Sequence, residues 1–276
     1  MTATAQATQT TPTTPTTPMR TTTTASARPD QPPAVRRPLV NPTYLRLELR
    51  RLLRNRRTLI FSVLLPVVFV LSFSGAQSDP QGKAYVAINF AVYGAMVAAA
   101  VTGAAVSIDR SSGWSRQLRL TPLRPTSQVV TKVLTALVLA ALPVVVVLGV
   151  GALMGGRLSA GEWLGAAAAA WLGAIPFAGL GLAVGYLVPA ETAMQVIGAG
   201  MSLLAMVGGL FVPLSVFGTT MRHLAALTPA WGPSVLARYS FAHEASVGAG
   251  VTSIIVWGVL FAAAAAWLFR RDTARV

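Results

Sequence analysis

Six long stretches without a charged residue decide what this chain can fold into: 58–78, 84–108, 133–156, 163–190, 192–221 and 245–269. Each reaches the roughly 20 apolar residues that carry an α-helix across a bilayer. Only 11% of the chain is charged, against about a quarter in soluble domains, so a water-soluble fold has too little charge to cover itself. The stretches are continuous rather than alternating with period 2, which excludes a membrane β-barrel. The expected fold is an all-α membrane protein with six transmembrane helices over 58–271. The fifth stretch is too long for one crossing, and its end near Phe211, Val212 and Pro213 is expected to leave the membrane and continue as outer-face structure.

Lysine and arginine set the orientation. Of the 22 basic residues, 18 lie in the segment before the first stretch, in the loop after the second and in the C-terminal tail. The remaining four are Lys83, Arg157, Arg222 and Arg238. Both termini and the loop between the second and third spans are therefore expected in the cytoplasm. The net charge of +14 belongs to this asymmetry and does not call for nucleic acid. Trp163, Trp231 and Trp267 fall near stretch ends, where aromatic anchors sit.

Before the spans, residues 1–40 are a Thr/Pro-rich tail with 13 threonines between Thr2 and Thr24. Nothing there buries enough apolar surface to offset chain entropy, so it is expected to be disordered and cytoplasmic. It has no apolar core of a signal peptide. Asn41 and Pro42 then offer an N-cap and a first helical residue. Leu45, Leu49, Leu52 and Leu53 share one face, with Arg46, Arg50 and Arg54 among the arginines around the rest. The spacing predicts an interfacial amphipathic helix over 41–57, its arginines near anionic headgroups. A plain basic flank to the first span is the alternative.

No Asp, Glu, Lys or Arg occupies the middle of a stretch, which argues against an ion-coupled pump. Asn89 and Gln195 are the nearest polar candidates, and interhelical hydrogen bonding is the simpler role for both. No phosphate-binding loop of the G-x-x-x-x-G-K-[ST] type is present. There is no cysteine. His223 and His243 lack the convergent partners of a metal site, so no metal is expected. Nor is there a nucleophile–base pair suited to an intramembrane hydrolase.

Small residues repeat every four positions in the second stretch, at Ala91, Ala95, Ala99, Gly103 and Ser107. The fourth carries Gly181-x-x-x-Gly185, and the third ends in Gly151-x-x-x-Gly155. Such stripes let helix backbones approach closely. They suit packing within one bundle or between two copies, and sequence does not separate these.

The loop after the second stretch runs Asp109, Arg110, Ser111, Ser112, Gly113, Trp114, Ser115, Arg116, Gln117, Leu118, Arg119, Leu120, Thr121, Pro122, Leu123, Arg124. Trp114 and Leu118 fit one side of a short helix, with Arg116 and Arg119 on the other. Pro122 stops it, because the residue before proline disfavours helix. A helix of this kind docks into a groove on a soluble partner. From spacing alone an ordinary basic loop fits equally well.

This loop resembles the coupling helix of type 2 ABC exporter permeases, the drug-resistance-like membrane subunits of ATP-binding-cassette transporters. Asp109, Arg110, Gly113, Leu118, Thr121, Pro122, Leu123 and Arg124 match the family pattern. Ser111 departs where a second acid is common, and Trp114 where threonine is common. The basic helix before the first span, the cytoplasmic ends, and Gly208 to Pro213 followed by Thr228 and Pro229 extend the resemblance over residues 41–271.

What the resemblance implies is a permease subunit in the cell membrane, not itself an enzyme. It would work with a separate ABC ATPase that holds ATP and magnesium, while this chain binds no cofactor. A second permease copy, identical or related, would complete the path. Asp109, Arg110, Gly113, Trp114, Leu118, Thr121 and Pro122 would couple to the ATPase. The apolar spans suit a small amphiphilic cargo such as a drug, antibiotic or lipid-like molecule. A non-transporting membrane scaffold or assembly protein is the competing class.

Overall fold

The computed structural model describes residues 42–54, 56–113, 125–242 and 245–273. Every regular element among them is helical. Helix α1 (Pro42–Leu53) is followed by α2 (Arg56–Ser74), α3 (Pro80–Ala104) and α4 (Val106–Ser111), with α4 continuing α3 beyond a break at Ala105. Then come α5 (Pro125–Leu153), α6 (Ala160–Leu172), α7 (Ile175–Leu187) and α8 (Ala190–Val207). A single 3-10 turn (Leu214–Val216) leads to the short helices α9 (Thr219–Ala226) and α10 (Trp231–Ala242), and α11 (Val247–Thr273) closes the described chain.

Among the described residues, five helical segments are long and apolar enough to cross a bilayer: Pro80–Ser111, Ser127–Leu153, Ala160–Leu187, Ala190–Val207 and Val247–Asp272. In α2 the described apolar segment, Ser62–Ser74, is shorter. The chain is therefore a multi-pass membrane protein built on at least these five spans. The long fifth stretch divides as its length demands. Helix α8 ends where Gly209 takes φ +79°, and the Leu210 amide bonds back to the Ala205 carbonyl at 2.9 Å. That is the left-handed helix stop that glycine permits.

Helix α3 is the axis of the bundle. Asp79 caps it by accepting from the Gly82 amide at 2.6 Å, and Pro80 opens it. Its buried residues run almost without interruption from Ala84 to Ala104, and most are Ala, Val or Gly, which lets neighbours approach from all sides. Near one end it packs on α5, where a Cβ on Gly151 would stand 2.1 Å from the Ala87 Cβ. Near the other it packs on α7, where a Cβ on Gly181 would stand 2.1 Å from the Ala100 carbonyl oxygen. At mid-height Pro66 of α2 and Pro143 of α5 both abut Gly94, leaving no room there for a side chain. By contrast, α11 packs mainly on α7 and α10 and leaves Val251, Ile255, Val256, Val259 and Leu260 exposed, as a lipid-facing helix does.

Candidate functional site at the Asp109 end

The end of the bundle that carries Asp109 gathers segments far apart in the chain. Asp109 lies in α4 and is only 4% exposed. Its carboxylate accepts from the Arg51 guanidinium of α1 at 2.6 Å and pairs with the Lys132 ammonium of α5 at 2.6 Å. Lys132 also donates to Glu48 of α1. Glu48 and Lys132 are 3% and 4% exposed. Four charges of alternating sign thus form a closed cluster joining α1, α4 and α5. Glu48, Asp109 and Lys132 are out of water, whereas Arg51 is about half-exposed; burying such ions costs several kcal/mol each unless they pair well, and the two acids here share two bases.

Tyr44, one turn before Glu48, is buried on the same face of α1. Burial pushes its phenol well above the ordinary range, and the nearby Glu48 and Asp109 charges push it further. Burial pulls the Arg51 guanidinium down, but the hydrogen bond and charge of Asp109 outweigh this and raise it overall. Tyr44 is therefore a neutral phenol and Arg51 a cation throughout the neutral pH range.

Arg110, the next residue, faces other elements. It donates to the carbonyls of Gly185 and Tyr186 at 3.1 and 2.9 Å and pairs with Asp272 at 2.6 Å. The two carbonyls belong to the last turn of α7, whose C-terminal oxygens have no partner within the helix. Asp272 lies in the last turns of α11. Successive residues are thus tied to different parts of the bundle: Asp109 to α1 and α5, Arg110 to α7 and α11. Gly113 closes the described part of the loop with φ +73°, a conformation for which glycine is suited. Trp114, Leu118, Thr121 and Pro122 lie outside the described residues.

The small-residue stripes meet within the chain. A Cβ on Gly103 would lie 2.4 Å from the Ala178 carbonyl oxygen, and one on Gly185 would lie 2.9 Å from the Ala104 carbonyl oxygen. Ala95 and Ala99 are fully buried. Arg46, Arg50 and Arg54 of the predicted interfacial helix are exposed, whereas its Tyr44 and Glu48 face the bundle. Glu48, Arg51, Lys132 and Asp272 were not distinguished as site residues by sequence reasoning. One signal was available: the chain has only eight acidic residues, and Glu48 stands alone among the arginines of α1.

The opposite end of α3 has its own polar centre. Arg238 of α10 is fully buried. It donates to the Asn89 side-chain oxygen and lies 4.8 Å from the centre of the Tyr85 ring. Asn89 thus makes a hydrogen bond between helices, while Gln195 is exposed. Beside this pair a cavity of about 550 Å³ is lined by Phe73, Tyr85, Asn89, Phe90, Phe211 and Phe241, among others. That volume lies within the range of small-molecule sites.

A helical membrane bundle with a polar clasp at one end of its axial helix is a general architecture, and sequence comparison makes it particular. Residues 43–242 match the ABC-2 type transporter family. The chain belongs to that family. It is also 28% identical over 191 residues to "Putative transport permease YvfS" of Bacillus subtilis (strain 168), an alignment covering 67% of this chain and 78% of that one. The resemblance to type 2 ABC permeases noted from the sequence is thereby established.

Proposed function

We propose that this chain is the membrane subunit of an ABC exporter in the cell membrane, driven by a separate ATPase, and that the segment beginning at Asp109 receives the ATPase stroke. The observation that carries this reading is the double anchorage of Asp109 and Arg110. Force applied to a loop enters the bundle through the residues that fix its ends. Here the first two residues grip four elements: α1 and α5 through Asp109, α7 and α11 through Arg110. A stroke on the loop would therefore tilt these elements together. Switching between two packed arrangements in this way needs only differential contacts in the two states.

On this reading six helices cross the membrane, α2 being the first, and the clasp lies on the cytoplasmic side with both termini. The meeting of α1, the loop and the end of α11 at one end of the bundle supports a shared side for them. A second permease copy completes the translocation path. The cargo is a small amphiphile, for which the aromatic cavity by Phe73, Phe90 and Phe211 offers stacking surfaces and Asn89 a polar contact.

Vesicles holding the chain with its ATPase test the function directly. ATP-dependent transport of amphiphilic compounds is expected, together with co-purification of the ATPase that is lost on Gly113→Leu or Leu118→Asp. Equal ATPase binding by a chain lacking 109–124 would overturn the assignment of the loop. Topology has its own check: reporters at positions 80 and 158 should prove external.

A further inference from the structure

Helix α1 presents three different stripes. At 100° per residue, Tyr44, Glu48, Arg51 and Leu52 fall toward one side, and Tyr44 and Glu48 are the residues buried against the bundle. Leu45, Leu49 and Leu53 form a second stripe about 100° further round, half-buried to exposed. Arg46, Arg50 and Arg54 form a third, about 100° beyond that, and all three are exposed. Among the described residues no ion pair involves Arg46, Arg50 or Arg54. Arg51, on the bundle side, is committed to Asp109. Cations thus lie on two sides of one helix, with only the Arg51 side joined to the ion cluster.

We propose that the Arg46, Arg50 and Arg54 stripe binds the phosphates of anionic phospholipids, and that this seating holds α1 where Glu48 and Arg51 complete the clasp on Asp109. Charge complementarity names the partner: three cations one turn apart along about 12 Å of helix suit a row of headgroup phosphates. The leucine stripe beside them identifies the source as a bilayer rather than a free polyanion, because it offers apolar surface at the same depth. Nucleic acid would leave that stripe facing water. The consequence is regulatory. A rigid helix cannot shift one face without the other, so loss of anionic lipid loosens Glu48 and Arg51 and with them the anchorage of the loop. That consequence for coupling rests on the exporter reading; the lipid contact does not.

The chain has no cysteine, so single introduced cysteines can be labelled cleanly. The first measurement is lipid retention by the purified full chain, titrated in detergent with phosphatidylglycerol or phosphatidylcholine and read by native mass spectrometry. Preferential retention of phosphatidylglycerol is expected, weakened roughly five-fold for each arginine removed and lost in the triple variant R46Q/R50Q/R54Q. The R51Q variant should keep the preference. If the triple variant fails to insert, wild-type chain at rising salt gives the same test, because screening must erode the preference.

The second measurement is the distance between spin labels at Leu47→Cys and Ser112→Cys. It should be narrow in vesicles containing phosphatidylglycerol and broad in pure phosphatidylcholine. Equal retention of the two lipids, or a distance insensitive to lipid charge, would overturn the proposal. So would narrowing by inositol hexaphosphate added to phosphatidylcholine vesicles, which would make the stripe a soluble-polyanion site. Absence of transport in every vesicle, with lipid retention and distances as expected, would count against the exporter reading alone.

Discussion

The two ends of helix α3 each bury charge, one in an ion cluster and one beside an aromatic cavity. At the Asp109 end two acids and two bases lock together, and the four side chains come from α1, α4 and α5. At the other end a fully buried arginine, Arg238, has a neutral amide and an aromatic face among its contacts. A closed ion cluster is worth most when all its members are present and costs most when one is missing, because the buried members that remain have fewer opposite charges around them. The hydrogen bond from Arg238 to Asn89 and its ring contact are each of modest strength. The first arrangement ties several elements together. The second pins a short helix, α10, beside a cavity.

The largest expected effect follows from breaking the cluster. Asp109→Ala leaves Lys132 and Arg51 without their shared carboxylate and should lower stability by about 3–5 kcal/mol. Thermal unfolding in detergent measures it. Adding Lys132→Met and Glu48→Gln should recover a large part of the loss, since the buried charges then disappear together. If Asp109→Ala proved no worse than a substitution at Arg238, the contrast between the two ends would fail.

Next in size is the backbone contact that lets the clasp reach α7. Gly181→Ala places a methyl group 2.1 Å from the Ala100 carbonyl oxygen, and neither backbone can yield without parting α3 from α7. A loss of about 1–3 kcal/mol or more is expected. Gly165→Ala is the control, because its Cβ meets open space and alanine favours the helix. The same unfolding assay should find that change neutral or slightly stabilising.

Arg238→Gln comes third. It removes the ring contact and weakens the bond to Asn89, with an expected cost of about 1–3 kcal/mol. Its effect should stay local: the distance between labels at positions 47 and 112 should be the same as in the parent chain. A shift in that distance would show that the two ends are coupled more directly than their separate contacts indicate.

How much of this was legible beforehand depended on whether the signal was local. The apolar stretches carried their own length and lack of charge, so helices appear where they were expected. The break after the fifth span was foreshadowed by a stretch too long to be one crossing, and Gly209 supplies it. Gly103, Gly181 and Gly185 were recognisable as small-residue positions, but their partners were not, because which helix lies against which is a property of the folded bundle. The cluster was the least legible feature. Asp109 stood out through its loop, yet Arg51, Lys132 and Asp272 looked like ordinary charges flanking apolar spans. Arg51 and Asp109 are 58 residues apart, and Lys132 and Glu48 are 84 apart. No periodicity spans such distances. Arg238 was missed for the complementary reason: a single arginine among the four basic residues outside the basic segments gives no hint of burial until α10 is seen packed on α3. Asn89, alone in an apolar stretch and in need of a partner, was the half of that pair that sequence could supply.

The smallest effect on stability tests the division of labour within the loop itself. Arg110 and Asp272 are each about one-third exposed, so their attraction is screened and is worth about 1 kcal/mol or less. Arg110 nevertheless occupies three acceptors at once, two of them carbonyls at the C-terminal end of α7. Its planar fork allows this geometry, while a lysine offers a single point charge. Arg110→Lys should therefore keep the tie to Asp272 but loosen the end of α7, and Arg110→Gln should release both. Hydrogen exchange reads the two helix ends separately. Faster exchange at residues 183–187 in both variants, but at 268–273 only in Arg110→Gln, is the expected pattern. Equal protection in all three chains would mean that Arg110 rests on these groups without holding them, leaving the anchorage of the loop to Asp109 alone.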